Sequence, residues 1–239
     1  MKVILALFYF AYFSLVGVYV MYMPKALKDF GYDAVEIGLI FTAAPFMRFL
    51  LPFIFKYYVK LTDKIYLYAL LFTFLSSLLF LQTVHNFSAH FIANLLFGAS
   101  MGITLPFVET IALQRLTKKM YGKIRLWGSV GFIVISLGLG ELEPSPLETL
   151  YYLGVTGFFT LIFGYFVLQY DPHKEGTKQE RDSSFSLQRY WAFWVSIFLM
   201  QVAFGGFYTF FTIYEEAQGL STQIISFLWT FGVVCEIVM

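Results

Sequence analysis

VILALFYFAYFSLVGVYVMYM, Val3–Met23, runs for 21 residues without a charge. A helix rises about 1.5 Å per residue, so about 20 apolar residues cross the roughly 30 Å hydrocarbon core of a bilayer. The run is too long for the apolar stretch of a cleavable leader. It lacks a small-residue cleavage site and is followed by Pro24 and Lys25, so it reads as a membrane span. Comparable runs recur at Ile37–Tyr57, Ile65–Val84, Phe91–Leu113, Tyr121–Gly140, Leu150–Tyr170 and Tyr190–Tyr214, with an eighth from Ile224 to Met239. Composition agrees. Hydrophobic residues make up 59% and charged residues 13%, against about 25% charged in soluble domains. A net charge of +1 gives no electrostatic case for a nucleic-acid partner. The fold class is therefore all-α transmembrane.

Lysine and arginine orient the spans. Lys2, Lys56, Lys60, Lys64, Arg115, Lys118, Lys119, Lys123, Arg125, Lys174, Lys178, Arg181 and Arg189 fall on one side, and only Lys25 and Lys28 on the other. Cytoplasmic loops retain positive charge, so the N-terminus is expected inside a cytoplasmic (inner) membrane that the chain crosses several times. The outer loops carry Glu141, Glu143, Glu148, Glu215 and Glu216.

The longest polar break, Asp171–Arg189, holds four charges of each sign. It divides the chain into a six-helix N-terminal half (1–170), a cytoplasmic linker (171–189) and the start of a C-terminal half (190–239), which is the plan of a two-domain transporter built from inverted three-helix repeats. Gly17 with Pro24, and Gly98 with Pro106, give the first and fourth spans a glycine-rich middle and a proline near one end. Such helices can bend around a cavity, although glycine and proline are ordinarily enriched in membrane helices. The Gly98–Gly102 pair, with Gly128, Gly131 and Gly138 in the fifth span, predicts close packing inside the bundle rather than a dimer face.

Ionisable groups inside spans are functional candidates, because their burial must be offset by a partner or a water-filled cavity. Glu109 and Arg125 each lie about 6 Å from the same end of adjacent spans and can meet as a carboxylate–guanidinium pair. The pair either locks the two helices together or faces a substrate. Arg48 lies about 16 Å into the second span, too deep to snorkel, with Glu109 or Glu236 as candidate partners. Glu236, about 18 Å along the last span, is read either as a buried proton acceptor or as a neutral structural residue.

Enzyme signatures are missing: there is no HExxH, no GxSxG and no phosphate-binding glycine loop. His85, His90 and His173 are read as loop residues, and Cys235, the one cysteine, has no disulfide partner. No cofactor or metal is expected.

The stretch YGKIRLWGSVGF (Tyr121–Phe132) resembles the start of the fifth span in the lactose-permease and phenylpropionate-permease branches of the major facilitator superfamily. LPFVETIAL (Leu105–Leu113) is similar to the glutamate-bearing end of their fourth span. Tyr12, Phe13, Gly17, Tyr19, Pro24 and Leu27 follow the first-span spacing of lactose permease, while GGFYTFFTIYEEAQG (Gly205–Gly219) and LWTFGVVCEI (Leu228–Ile237) look closer to the phenylpropionate-permease branch. The chain departs from the superfamily's loop between the second and third spans, where Val59 and Tyr66 take the glycine positions.

The resemblance implies the major facilitator fold: a complete six-helix half, helix 7 and part of helix 8. With twelve helices usual, the chain reads as C-terminally truncated. It implies proton-coupled symport of a small organic solute, an aromatic acid such as 3-phenylpropionate or a sugar, by a monomer in the lipid bilayer. Glu109, Arg125, Arg48, Tyr19 and Ser129 would bind the solute, and Glu236 and Glu109 would carry the proton. The alternative is a transporter-like membrane fragment that senses or binds, or has no transport activity.

Overall fold

The computed structural model describes residues 1–57, 61–169 and 191–238. The proposed linker and Val59 lie outside them. The described residues form helices and no strand. The first span is α1 (Lys2–Gly17), a π turn (Val18–Tyr22) and α2 (Met23–Asp29) in one run. The π turn comes just before Pro24. Proline has no N–H to give the preceding turn, and the wider π turn takes up that break in the α-helical ladder. There follow α3 (Ala34–Tyr57), α4 (Asp63–Thr83), α5 (Phe87–Arg115), α6 (Lys118–Leu142), α7 (Pro146–Leu168), α8 (Trp191–Ala217) and α9 (Thr222–Val238).

Among the described residues six helices are long and apolar enough to cross a membrane: Lys2–Asp29, Ala34–Pro52, Asp63–Thr83, Phe87–Arg115, Lys118–Leu142 and Pro146–Leu168. Helix α8 has 27 residues, and α9 is a shorter apolar helix of 17. The helices start earlier than the apolar runs suggest because polar caps belong to them. Asn86 accepts from Ala89 N–H, Thr117 from Met120 N–H, and Ser145 and Glu148 form a reciprocal capping box on α7. This overturns the loop reading of His90. It sits in the first turn of α5, buried, with Nδ1 3.2 Å from Thr83 Oγ1. His85 lies in the turn before α5, and His173 is outside the described residues.

Glycine sets how closely the helices approach. A Cβ on Gly98 would run into the Ala44 backbone of α3, and one on Gly102 would lie 2.9 Å from Leu51 Cδ1 and 3.1 Å from Arg48 Cγ. A Cβ on Gly131 would meet the Phe10 carbonyl of α1. The small-residue pattern therefore serves packing within the bundle. Gly138 is the exception: it has no atom within 4 Å of its Cβ position, so it is not a packing glycine. Tyr66, at one of the departed glycine positions, stacks on Phe107 with centroids 4.2 Å apart and donates to the Gly164 carbonyl at 3.0 Å. Phe8, Tyr9, Leu15, Phe80 and Phe97 fill the interior, while Phe46, Phe49, Phe72 and Ile92 stay exposed, the distribution expected of a bundle surrounded by lipid.

Candidate functional site

Helices α1, α3, α5, α6, α8 and α9, with the π turn, wall a cavity of about 940 Å³. Small-molecule sites usually occupy roughly 300–1,000 Å³ and combine apolar walls with a few polar groups. Most of the lining here is apolar or aromatic. The charged lining residues are Arg48, Arg125 and Glu236.

Arg125 has a carboxylate partner. Its Nε donates to Glu109 Oε1 at 3.2 Å, so the pair drawn from depth alone forms across the α5–α6 hairpin. The guanidinium carbon stands 4.2 Å from the Phe13 ring centroid and 5.3 Å from that of Tyr9, within cation–π range. Gly128 makes this possible: its Cβ would lie 2.7 Å from Phe13 Cδ2 and 3.1 Å from an Arg125 guanidinium nitrogen. Ser129, one turn beyond Arg125 on the same face, lines the cavity, whereas Glu109 stands behind Arg125 and does not.

Arg48 corrects an expectation. Neither Glu109 nor Glu236 pairs with it: no carboxylate among the described residues forms a salt bridge with its guanidinium. Its hydrogen bond runs from Nη2 to the thioether sulfur of Met101 at 3.8 Å. The reason is rotational. Depth brings Glu109 near either arginine, but the α5–α6 hairpin turns it towards Arg125. Glu236 is likewise not buried, as a lone membrane glutamate was expected to be. It is exposed on the cavity wall.

Tyr19 reaches the cavity from the π turn, but its hydroxyl is occupied. It donates to Asn94 Oδ1 at 2.7 Å, and the ring stacks on Phe41 with centroids 5.0 Å apart. Tyr19 therefore presents ring rather than hydroxyl.

Sequence reasoning missed an aromatic wall on α8 and α9. Trp229 lies at the centre, with the Tyr208 ring stacked on it at 5.6 Å and 20° and the Phe207 centroid at 5.2 Å. Its indole N–H donates to Thr212 Oγ1 at 3.1 Å, which holds the ring in place. One signal was available: Trp229, Gly232, Val233 and Glu236 repeat at i, i+3, i+4, i+7, a single helical face.

Polar contacts between α8–α9 and the earlier spans gather at one end of the cavity. Lys25 Nζ is 2.7 Å and Lys28 Nζ 3.6 Å from the Glu216 carboxylate. Below them Tyr22 donates to the Ser136 carbonyl at 2.7 Å and lies 2.8 Å from Ser226 Oγ. Gln223 Nε2 donates to Glu141 at 3.1 Å. The π turn thus carries Tyr19 into the cavity and Tyr22 into these contacts.

A family model described as MFS_1 like matches residues 2–239. The chain is 28% identical over 248 residues to the probable 3-phenylpropionic acid transporter of Escherichia coli (strain K12), covering 98% of this chain and 65% of that protein. It is 25% identical over 220 residues to the quinolone resistance protein NorA of Staphylococcus aureus (strain MRSA252), covering 87% of this chain and 56% of that one. The chain thus spans somewhat under two thirds of the length of these relatives. Among solved structures, the nucleoside transporter NupG (D323A mutant) superposes with a TM-score of 0.74 at 19% identity, over 99% of this chain and 65% of that one, a likeness of fold. An apolar helical bundle around a sparsely charged cavity, matched along almost its whole length by one family, places this multi-pass membrane protein in the MFS_1 like family of major facilitator transporters.

Proposed function

We propose that the protein imports a small organic solute by proton-coupled symport, with an aromatic acid of the 3-phenylpropionate type as the first candidate. The observation that carries this reading is the cavity of about 940 Å³ whose apolar and aromatic walls hold two arginines and one glutamate. Aromatic walls favour a planar apolar body, guanidinium groups favour a carboxylate, and a cavity-facing glutamate is a place for a proton. In this reading Arg48, Arg125, Tyr19 and Ser129 face the solute, Glu109 holds Arg125, and Glu236, with Glu109, takes part in proton coupling.

The lysine and arginine distribution supports a cytoplasmic-membrane location with the N-terminus inside, and a monomer is part of the same proposal. The Lys25–Glu216 end of the bundle then faces outward, and the contacts there close the outer side of the cavity. The bundle alternates access by breaking them and closing the other side. Division into residues 1–170, a linker at 171–189 and a second half from 190 belongs to the same proposal. A sugar is the second solute class, with Arg125 and Ser129 on the cavity wall to meet its hydroxyl groups and Glu109 holding Arg125.

The test is uptake by cells expressing the complete gene, with labelled 3-phenylpropionate, a galactoside and a nucleoside in parallel. Accumulation of 3-phenylpropionate that a protonophore collapses is the expected result. Accumulation that survives the protonophore refutes proton coupling. Binding without uptake favours a sensing role, and outward movement favours export.

A further inference from the structure

We infer that Arg48, rather than the Glu109–Arg125 pair, is the specificity-determining receptor for a carboxylate on the transported solute, with Trp229, Tyr208 and Phe207 receiving the solute's apolar body. The inference rests on the proposal that this cavity carries a small organic solute, and it assigns the work within it.

Two guanidinium groups reach the cavity, and their surroundings differ. Arg125 already has its counter-charge: Glu109 Oε1 is 3.2 Å from its Nε, and the Phe13 ring covers one face of its guanidinium at 4.2 Å. An anion arriving there must share the arginine with a resident carboxylate, and like charges in one site oppose each other. Arg48 has no such competitor. No carboxylate among the described residues forms a salt bridge with it, and its hydrogen bond is to a thioether sulfur at 3.8 Å, a weak acceptor.

An arginine within a span is costly without a partner or water. Arg48 lies nine residues before the end of α3 at Tyr57, about 14 Å from it. The structure nevertheless makes room for it. Gly102 of α5 leaves the space that the Arg48 stem occupies, since a Cβ there would lie 3.1 Å from Arg48 Cγ. Arg48 thus lines the cavity with one guanidinium nitrogen on the Met101 sulfur, and a guanidinium fork suits bidentate binding of a carboxylate.

The other end of the solute is set by α8 and α9. Trp229 is anchored through Thr212 and flanked by Tyr208 and Phe207, so its ring is held rigidly beside the cavity. Such a wall reads apolar shape and stacking, and Glu236, on the same face of α9, repels a carboxylate rather than receiving it. Charge discrimination then falls to Arg48.

The experiment compares 3-phenylpropionate with its neutral analogue 3-phenylpropionamide, using the full-length protein in proteoliposomes. The wild type is expected to bind the acid about 10- to 100-fold more tightly, the range of a charge-assisted hydrogen-bonded contact. Arg48→Gln should abolish this preference by bringing acid binding down to about the level of the amide, with the Tm in detergent reporting that the variant is folded. Arg48→Lys should keep a reduced preference, and Trp229→Leu should weaken both ligands by a similar factor. Retention of the acid preference by Arg48→Gln overturns the inference, as does its loss in Arg125→Gln alone. If the wild type binds a galactoside or nucleoside but neither aromatic compound, the proposed solute class fails and this inference fails with it. Binding of both aromatic compounds without preference removes the carboxylate role of Arg48 and leaves the transport reading intact.

Discussion

Replacing Glu216 with glutamine tests whether the contacts at the Lys25 end hold the cavity shut. In the structure Glu216 takes Lys25 at 2.7 Å and Lys28 at 3.6 Å, bridging α2 and α8. The Lys25 and Glu216 side chains are 24% and 30% exposed, so water screens the pair and a full buried-pair energy does not apply. Partly exposed pairs are worth about 0.2–1 kcal/mol, and two lysines sharing one carboxylate put this site near the upper end. Losing about 1 kcal/mol from the closed state alone shifts the closed-to-open ratio roughly fivefold. The assay is the labelling rate of Val20→Cys by a membrane-impermeant maleimide, in a Cys235→Ser background that removes the single native thiol. Val20 lies in the π turn and lines the cavity, and on this reading the reagent reaches it from this end when the contacts open. Glu216→Gln should raise the rate about fivefold at low salt, with a smaller rise at high salt where the pair is already screened. The charge exchange Lys25→Glu with Glu216→Lys should recover much of the protection. An unchanged rate in Glu216→Gln at low salt would refute the argument, leaving the Tyr22–Ser136–Ser226 contacts as the seal.

Other outcomes follow from the same geometry. Glu109→Gln and Arg125→Ala should each abolish solute uptake while the protein remains in the membrane, measured by transport alongside immunoblotting of membrane fractions. Glu236→Gln should uncouple uptake from the proton gradient, so that a protonophore no longer affects the initial rate while exchange of labelled solute persists. Gly98→Val, which drives a side chain into the Ala44 backbone, should destabilise the α3–α5 contact by at least about 1–3 kcal/mol and lower the Tm in detergent. Gly138→Ala, with open space at its Cβ position, should hold or raise the Tm, because alanine costs less than glycine in a helix by about 0.5–1 kcal/mol.

Hydropathy and charge cost are local properties, and they determined much on their own. An uncharged run such as Val3–Met23 commits its residues to a membrane span whatever surrounds it. An arginine or glutamate inside such a run announces itself, and so Arg48, Glu109, Arg125 and Glu236 were legible as candidates. Depth along the helix even brought Glu109 and Arg125 to one level. Rotation and register between helices are not local, and those the tertiary structure alone decided. It turned Glu109 towards Arg125 and left Arg48 without a carboxylate. It placed Glu236 on an open wall and put His90 inside α5. It brought Phe207 and Tyr208 of α8 against Trp229 of α9, and it distinguished Gly131, wedged against Phe10, from Gly138, which has open space at its Cβ position. The physical reason is the same in each case. Whether a side chain belongs in the membrane depends on its own transfer free energy, but whom it meets depends on how two helices are turned and spaced, and that is settled by the packing of the whole bundle.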